Sequence, residues 1–173
     1  MKKLILSAVV ALASMTANAQ IWIGGELGFN YHNNDATDAS VTTFTVAPEI
    51  GYTLNDKWDL AIKLGDQYTS PDPGDSQNAF FVNPYARYTF YKTGKVGFFL
   101  DGGFSIKTGD FDGYDDETQF GVGIRPGVKF AASDNVTFVA SFGGLGYTKV
   151  GDISDFGFNV NGNGLTFGCY YSF

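Results

Sequence analysis

Nine charged residues set the chemical question: Glu26, Glu49, Asp59, Lys63, Arg87, Asp101, Lys107, Arg125 and Lys129. Each stands beside apolar residues, and each falls on the same alternate set of positions within its own segment. Four acids and five bases on one face form a set that can neutralise itself in a confined space. The chemistry that follows is ion pairing, as a salt-bridged plug, or ion passage if the charges line a continuous path. Other chemistries have weaker support. Cys169 is the sole cysteine and His32 the sole histidine, so an intrachain disulfide and a Cys/His zinc site are both excluded. His32 with Ser40 and Ser70 lacks the spacing of a catalytic triad, and a lone loop histidine reads as solvated. The run "GDFDGYDDE" at 109–117 gathers Asp110, Asp112, Asp115, Asp116 and Glu117 without the twelve-residue spacing of a calcium loop, and reads as a solvated acidic loop. "GVGIRPG" and "GGLG" lie inside alternating segments rather than between a strand and a helix, which excludes a dinucleotide fingerprint. No catalysis, cofactor or metal is expected.

The elements that carry these charges alternate with period two, the signature of half-buried strands. Ile21, Ile23, Leu27 and Phe29 oppose Gly24, Glu26, Gly28 and Asn30. Phe44 to Tyr52 oppose Thr45, Ala47, Glu49 and Gly51, and Trp58 to Tyr68 oppose Asp59, Ala61, Lys63 and Gln67. The same holds for segments over 80–90, 96–107, 120–130 and 136–143, and for the closing "GLTFGCYYSF". Short polar turns, "LNDK", "YKTGK" and "AASDN", join alternate pairs; longer Asp/Gly/Ser/Thr-rich loops are expected near 32–42, 69–79, 108–119 and 148–163. Eight strands with short turns at one end and long loops at the other predict an all-β, eight-stranded antiparallel up-and-down barrel. The pattern apolar-x-Pro-x-apolar-x-aromatic recurs in "VAPEIGY", "VNPYARY" and "IRPGVKF", which makes the hairpin the repeating unit and places Pro48, Pro84 and Pro126 at one height, where local bulges are expected.

The two faces decide which way the barrel is turned. The apolar face is bulky and nearly free of charge, whereas the other is rich in glycine and carries the nine charges. A solvated surface would hold more charge and less glycine; a narrow interior holds small residues and balanced ions. Phe29, Tyr31, Phe44, Tyr68, Phe80, Phe104, Phe120 and Phe142 gather at the long-loop ends of the apolar face. Tyr52, Trp58, Tyr88, Phe90, Phe130, Tyr171 and Phe173 gather at the short-turn ends. Two aromatic girdles around an aliphatic band mark a transmembrane barrel whose exterior meets lipid.

The opening "MKKLILSAVVALASMTANAQ" has a basic start, a short apolar run and a small-x-small site, so residues 1–19 read as a signal peptide cut between Ala19 and Gln20, leaving 20–173 as one barrel domain. Without Lys2 and Lys3, nine bases face eighteen acids, for a net charge of −9 rather than −7, which excludes nucleic acid as a partner. The parity slip over "NVNGNG" at 159–164 predicts a late start or a bulge in the eighth strand.

The whole of 20–173 resembles, as pattern, the small OmpA/OmpX-type outer-membrane β-barrels, the "porin family" of Gram-negative bacteria. The most specific point of resemblance is the ending polar-x-Gly-x-x-aromatic-x-aromatic, filled here by Thr166, Gly168, Tyr171 and Phe173. The resemblance implies a bacterial outer-membrane location, an assembly signal at these four residues read by the outer-membrane insertion machinery, and outer-membrane lipid as surroundings. The expected role is structural or surface-interactive with a plugged interior, the alternative being porin-like transport through a narrow pore. No periplasmic domain is expected, and the loop ligand is left unnamed by the sequence.

Overall fold

The computed structural model describes residues 20–34, 39–111, 114–159 and 165–173. Ten strand segments build eight staves. β1 (Gln20–Asn34), β2 (Ala39–Asn55), β3 (Trp58–Asp72), β4 (Gln77–Thr93), β5 (Val96–Phe111) and β6 (Tyr114–Ala131) each form one stave. β7 (Val136–Ser141) and β8 (Gly144–Val150) together form the seventh, and β9 (Ile153–Asn159) and β10 (Thr166–Ser172) the eighth. Neighbouring staves are antiparallel, and β10 returns to β1 in a register running from Trp22↔Ser172 to Gly28↔Thr166. The sheet therefore closes on itself as an eight-stranded barrel, and no helix occurs among the described residues. Pairing of β1 with β10 removes the exposed backbone edges over this register, whereas among the described residues β9 pairs with β8 alone.

The first six staves run 15–18 residues, beyond the roughly ten that a tilted membrane crossing needs. The segments expected as long loops are the paired upper parts of hairpins. Val150 and Ile153 flank a turn of Gly151 and Asp152, and β3 and β4 are joined across 73–76. Backbone pairing needs no apolar face, so the ladders continue after the apolar alternation has stopped.

The prolines sit where pairing to the next stave lapses. Toward β3 the register passes from Val46↔Asp66 to Glu49↔Lys63, skipping Pro48. Toward β5 it passes from Val82↔Ile106 to Tyr85↔Gly103, skipping Pro84. A residue without an N–H leaves a ladder bond unmade, and beside Pro84 the Asn83 side-chain amide donates to the Phe104 carbonyl. Register survives both gaps. At Pro126 it does not: two residues of β6, Arg125 and Pro126, face three of the seventh stave, Phe142, Gly143 and Gly144. Gly143 takes a φ of 60° there, which an L side chain rarely adopts. The expected bulge is thus real at one proline and absent at the other two.

One extra residue exchanges the faces. Below the bulge the exposed positions are Phe138 and Phe142; above it they are Tyr147 and Lys149. The eighth stave is also interrupted, since Ser141 pairs with Thr166 but Gly144 with Asn159. Two residues on the seventh stave stand opposite six on the eighth, of which 160–164 lie outside the described residues together with most of the anticipated parity slip.

Candidate functional site

Along the lower half of the barrel, toward the short turns, the inward positions are filled. Trp22, Tyr85, Phe99, Val139 and Tyr170 form one buried cluster. Three of its rings lie over a glycine directly across the ladder: Trp22 over Gly51, Phe99 over Gly127 and Tyr170 over Gly24, where a Cβ would collide with the ring. Higher up, Phe81 lies over Gly65 in the same way. These four inward glycines are therefore seats for inward aromatics, and the glycine-rich face is packed where they stand.

Arg87 is the centre of this layer, with 2 % of its surface exposed. Its Nε and Nη2 donate to the two carboxylate oxygens of Asp101 at 2.7 and 2.8 Å, a bidentate pair. The guanidinium lies 3.9 Å from the centre of the Phe99 ring, which is fully buried. Nη2 also donates to the Tyr170 hydroxyl at 3.3 Å. That hydroxyl stands 3.2 Å from both Glu26 Oε1 and Glu49 Oε1, and Tyr85 donates to Glu49 Oε2 at 2.5 Å. Trp22 stacks on Tyr170 at 4.4 Å.

Above Tyr170 sits the second group. Lys63 Nζ is 2.8 Å from Glu26 Oε2 and 3.6 Å from Glu49 Oε1, bridging two buried carboxylates, while Thr166 donates to Glu26 at 2.9 Å. Arg125 reaches the same Glu26 oxygen only at 3.9 Å, and its side chain is 43 % exposed. Its cross-ladder carboxylate, Asp101, is taken by Arg87. Asp59 and Lys129 pair separately at 3.6 Å near the short-turn end, where Thr53 also donates to Asp59. The structure thus brings Glu26, Glu49, Lys63, Arg87, Asp101 and Arg125 into one connected group and joins Asp59 to Lys129. Lys107 lies higher on β5, in register with Gln119.

Over this floor the lumen opens. A cavity of about 720 Å³ rises toward the long hairpins, bounded below by Glu26, Lys63 and Tyr85 and walled by small and amide side chains such as Thr45, Asn83, Ser105 and Gln119. Sequence reasoning placed Tyr85 and Tyr170 on the inward set without assigning them a part in the network, and it did not see Trp22 and Phe99. The available signal was the recurrence of a glycine opposite each of these aromatics.

The other candidates are scattered. His32 is exposed near the end of β1, and among the described residues no hydrogen bond joins it to Ser40 on β2 or Ser70 on β3. Of the acidic segment, Asp110 lies at the end of β5 and Asp115, Asp116 and Glu117 at the start of β6, with the Asp110 carboxylate accepting the Asp116 N–H at 2.8 Å; Asp112 lies outside the described residues. At the chain end, Tyr171 and Phe173 are exposed and meet edge-to-face at 5.2 Å, and the Phe173 N–H donates to the Ile21 carbonyl at 3.0 Å. Thr166 and Gly168 pair with both β1 and β7. Residues 1–19, and with them Ala19 of the expected cleavage site, lie outside the described residues, which begin at Gln20.

The exterior is the reverse of a soluble protein's. Ile23, Leu27, Ile50, Leu60, Ile62, Leu64 and Ile106 are all exposed, between rings such as Phe29, Phe104 and Phe120 at one end and Trp58, Phe130 and Tyr171 at the other. The model of the outer membrane protein beta-barrel domain matches residues 4–173. This chain belongs to that family. Its location is accordingly the bacterial outer membrane, and its strands cross that membrane. Among solved structures, neisserial surface protein A (NspA) is similar over 90 % of this chain and 96 % of its own, with a TM-score of 0.55 at 19 % identity, a likeness of fold. A designed transmembrane β-barrel covers 89 % of this chain and 95 % of its own at 14 % identity, with a TM-score of 0.41. No curated protein matches.

Proposed function

We propose that this outer-membrane barrel is non-conducting and serves a structural or surface-interactive role, holding its place in the lipid and presenting its four long hairpins outside the cell, with both chain ends in the periplasm. The observation that carries the reading is the Arg87 layer. A guanidinium clamped by Asp101, stacked on Phe99 and surrounded by Trp22, Tyr85 and Tyr170 spans the lumen near the short-turn end. An ion crossing there would have to displace a buried bidentate pair, and breaking such a pair costs on the order of 3–5 kcal/mol. The exposed aliphatic band supports lipid as the surroundings of the barrel. The exposed Tyr171 and Phe173, with Thr166 and Gly168 in the closing stave, support recognition of this end by the insertion machinery.

The alternative, narrow-pore transport, draws on the vestibule, which already opens half of the lumen. Planar-bilayer recording on the purified, folded barrel separates the two. Current no greater than the protein-free background is expected, and discrete channel openings from the unmodified protein would establish transport instead.

A further inference from the structure

On the outer wall, one glycine has no reason within the fold to be there. Gly102 faces outward on β5, between Leu100 and Phe104 on the same face. A Cβ at this position would meet only Ile124 Cγ2, at 3.6 Å, an ordinary contact, and its backbone is not in the left-handed region. Glycine within a strand gives up about 0.5–1 kcal/mol relative to a residue with a side chain, and no inward aromatic is seated on this one. What its missing side chain leaves is a groove of about 460 Å³ in the outer surface, running over Gly102 between Phe104, Ile124, Leu145, Tyr147 and Phe156. The register places Phe104, Val122, Tyr147 and Phe156 in one row across three ladders, with Ile124 and Leu145 in the row below. Phe156 is 74 % exposed.

A cation stands at the outer end of this groove. Lys149 follows Tyr147 by two residues on the same face of β8, about 7 Å along the strand, and lies beside Phe120 and Ser154. It is exposed and forms no ion pair among the described residues. The other bases of the described residues are placed differently: Lys63, Arg87, Lys107, Arg125 and Lys129 face inward, and Lys57, Lys92 and Lys95 lie at the short-turn end. Among the described residues Lys149 is thus the one outward-facing base at the long-hairpin end, and the single-residue bulge below it is what turns it outward.

We infer that this groove holds one acyl chain of a phosphorylated glycolipid of the outer leaflet, with the lipid phosphate against Lys149. An apolar trough of this volume suits a saturated chain, and an isolated cation at its outer rim suits an anionic headgroup at the same depth. The inference rests on the proposed lipid surroundings and on the hairpins facing outward, and is independent of whether the lumen conducts.

The test is native mass spectrometry of the full-length barrel in detergent micelles, with hexa-acylated bisphosphorylated lipid A as the probe. Dephosphorylated lipid A and phosphatidylglycerol serve as the comparison lipids. Wild-type protein is expected to retain one bisphosphorylated lipid A in preference to both. Lys149→Gln should lower retention about five-fold, the worth of one lysine near an anionic surface, and Lys149→Arg should restore it. Gly102→Leu, which fills the trough without meeting backbone, should lower retention at least as much, whereas Lys95→Gln at the opposite end should leave it unchanged. Gel mobility of unboiled samples reports that each variant is folded; should Gly102→Leu not fold, the Lys149 pair decides. Equal retention by wild type and Lys149→Gln, or equal retention of phosphatidylglycerol and lipid A, would overturn the assignment.

Discussion

The two halves of the lumen are built from the same inward alternation and come to opposite ends. Toward the short turns the inward residues are Trp22, Tyr85, Arg87, Phe99 and Tyr170, with Gly24, Gly51 and Gly127 set opposite the rings. Toward the hairpins they are Thr45, Asn83, Ser105 and Gln119 around an open cavity. Glycine means different things in the two places. Gly51 makes room for a ring already present, while a Cβ on Gly157 would meet nothing within 4 Å. A barrel of eight staves has space for side chains to fill it, so an empty half follows from the residues placed there and is not imposed by the architecture. The lower half closes the barrel; the upper half is a cup standing on that closure.

Several substitutions would break or sharpen this contrast. Arg87→Ala should cost the most, about 3–5 kcal/mol, because Asp101 is left charged and buried. Urea unfolding in lipid vesicles would measure it, and planar-bilayer current should rise above background in the same variant. Unchanged stability with a silent bilayer would mean that the layer is not what seals the barrel. Next comes a matched pair of glycine changes. Gly51→Val drives a side chain into the Trp22 ring and should cost about 1–3 kcal/mol, while Gly157→Val enters open space and should stay within about 0.5 kcal/mol. Both are read by the same unfolding curves, and equal costs would erase the distinction between the halves. Smaller still is Arg125→Ala, which removes a half-exposed base 3.9 Å from its carboxylate and should cost under about 1 kcal/mol. Least disruptive is cysteine labelling in a Cys169→Ser background. A membrane-impermeant maleimide should modify Ser105→Cys in the vestibule wall much faster than Ser141→Cys, whose parent side chain is buried.

The parts of this architecture that were legible in the sequence are those where composition and geometry share a period. Leu60, Ile62 and Leu64 point out and Asp59 and Lys63 point in because a strand alternates, and the residue types alternate with it. Three kinds of feature escaped. Trp22 and Phe99 are apolar residues at inward positions, so an apolar-polar count assigns them to neither face. The upper hairpins are Asp-, Gly- and Thr-rich, and such residues signal loops even where the ladder holds them in strands. The region over 144–150 lost its pattern because one added residue reverses parity, leaving Tyr147 and Lys149 out of phase with Phe138 and Phe142. Within the charge network the inward direction of each residue was legible. Its partner was not, because Arg87–Asp101 are neighbours across one ladder whereas Lys63 on β3 reaches past β2 to Glu26 on β1.

The extra residue at Phe142–Gly144 acts on the seventh stave as a frameshift acts on a message. Everything before it is read in one phase and everything after it in the other, and deleting Gly143 would merge the two into one unbroken alternation with Phe142, Leu145, Tyr147 and Lys149 all still outward. The same residue count run as a regular ladder, with no bulge to absorb the extra residue, would instead turn Gly146 and Thr148 outward and swing Tyr147 and Lys149 into the cup. In such a barrel the sidedness of a segment is a property of count as much as of composition, and a one-residue insertion or deletion can convert a surface into a lining more completely than any substitution.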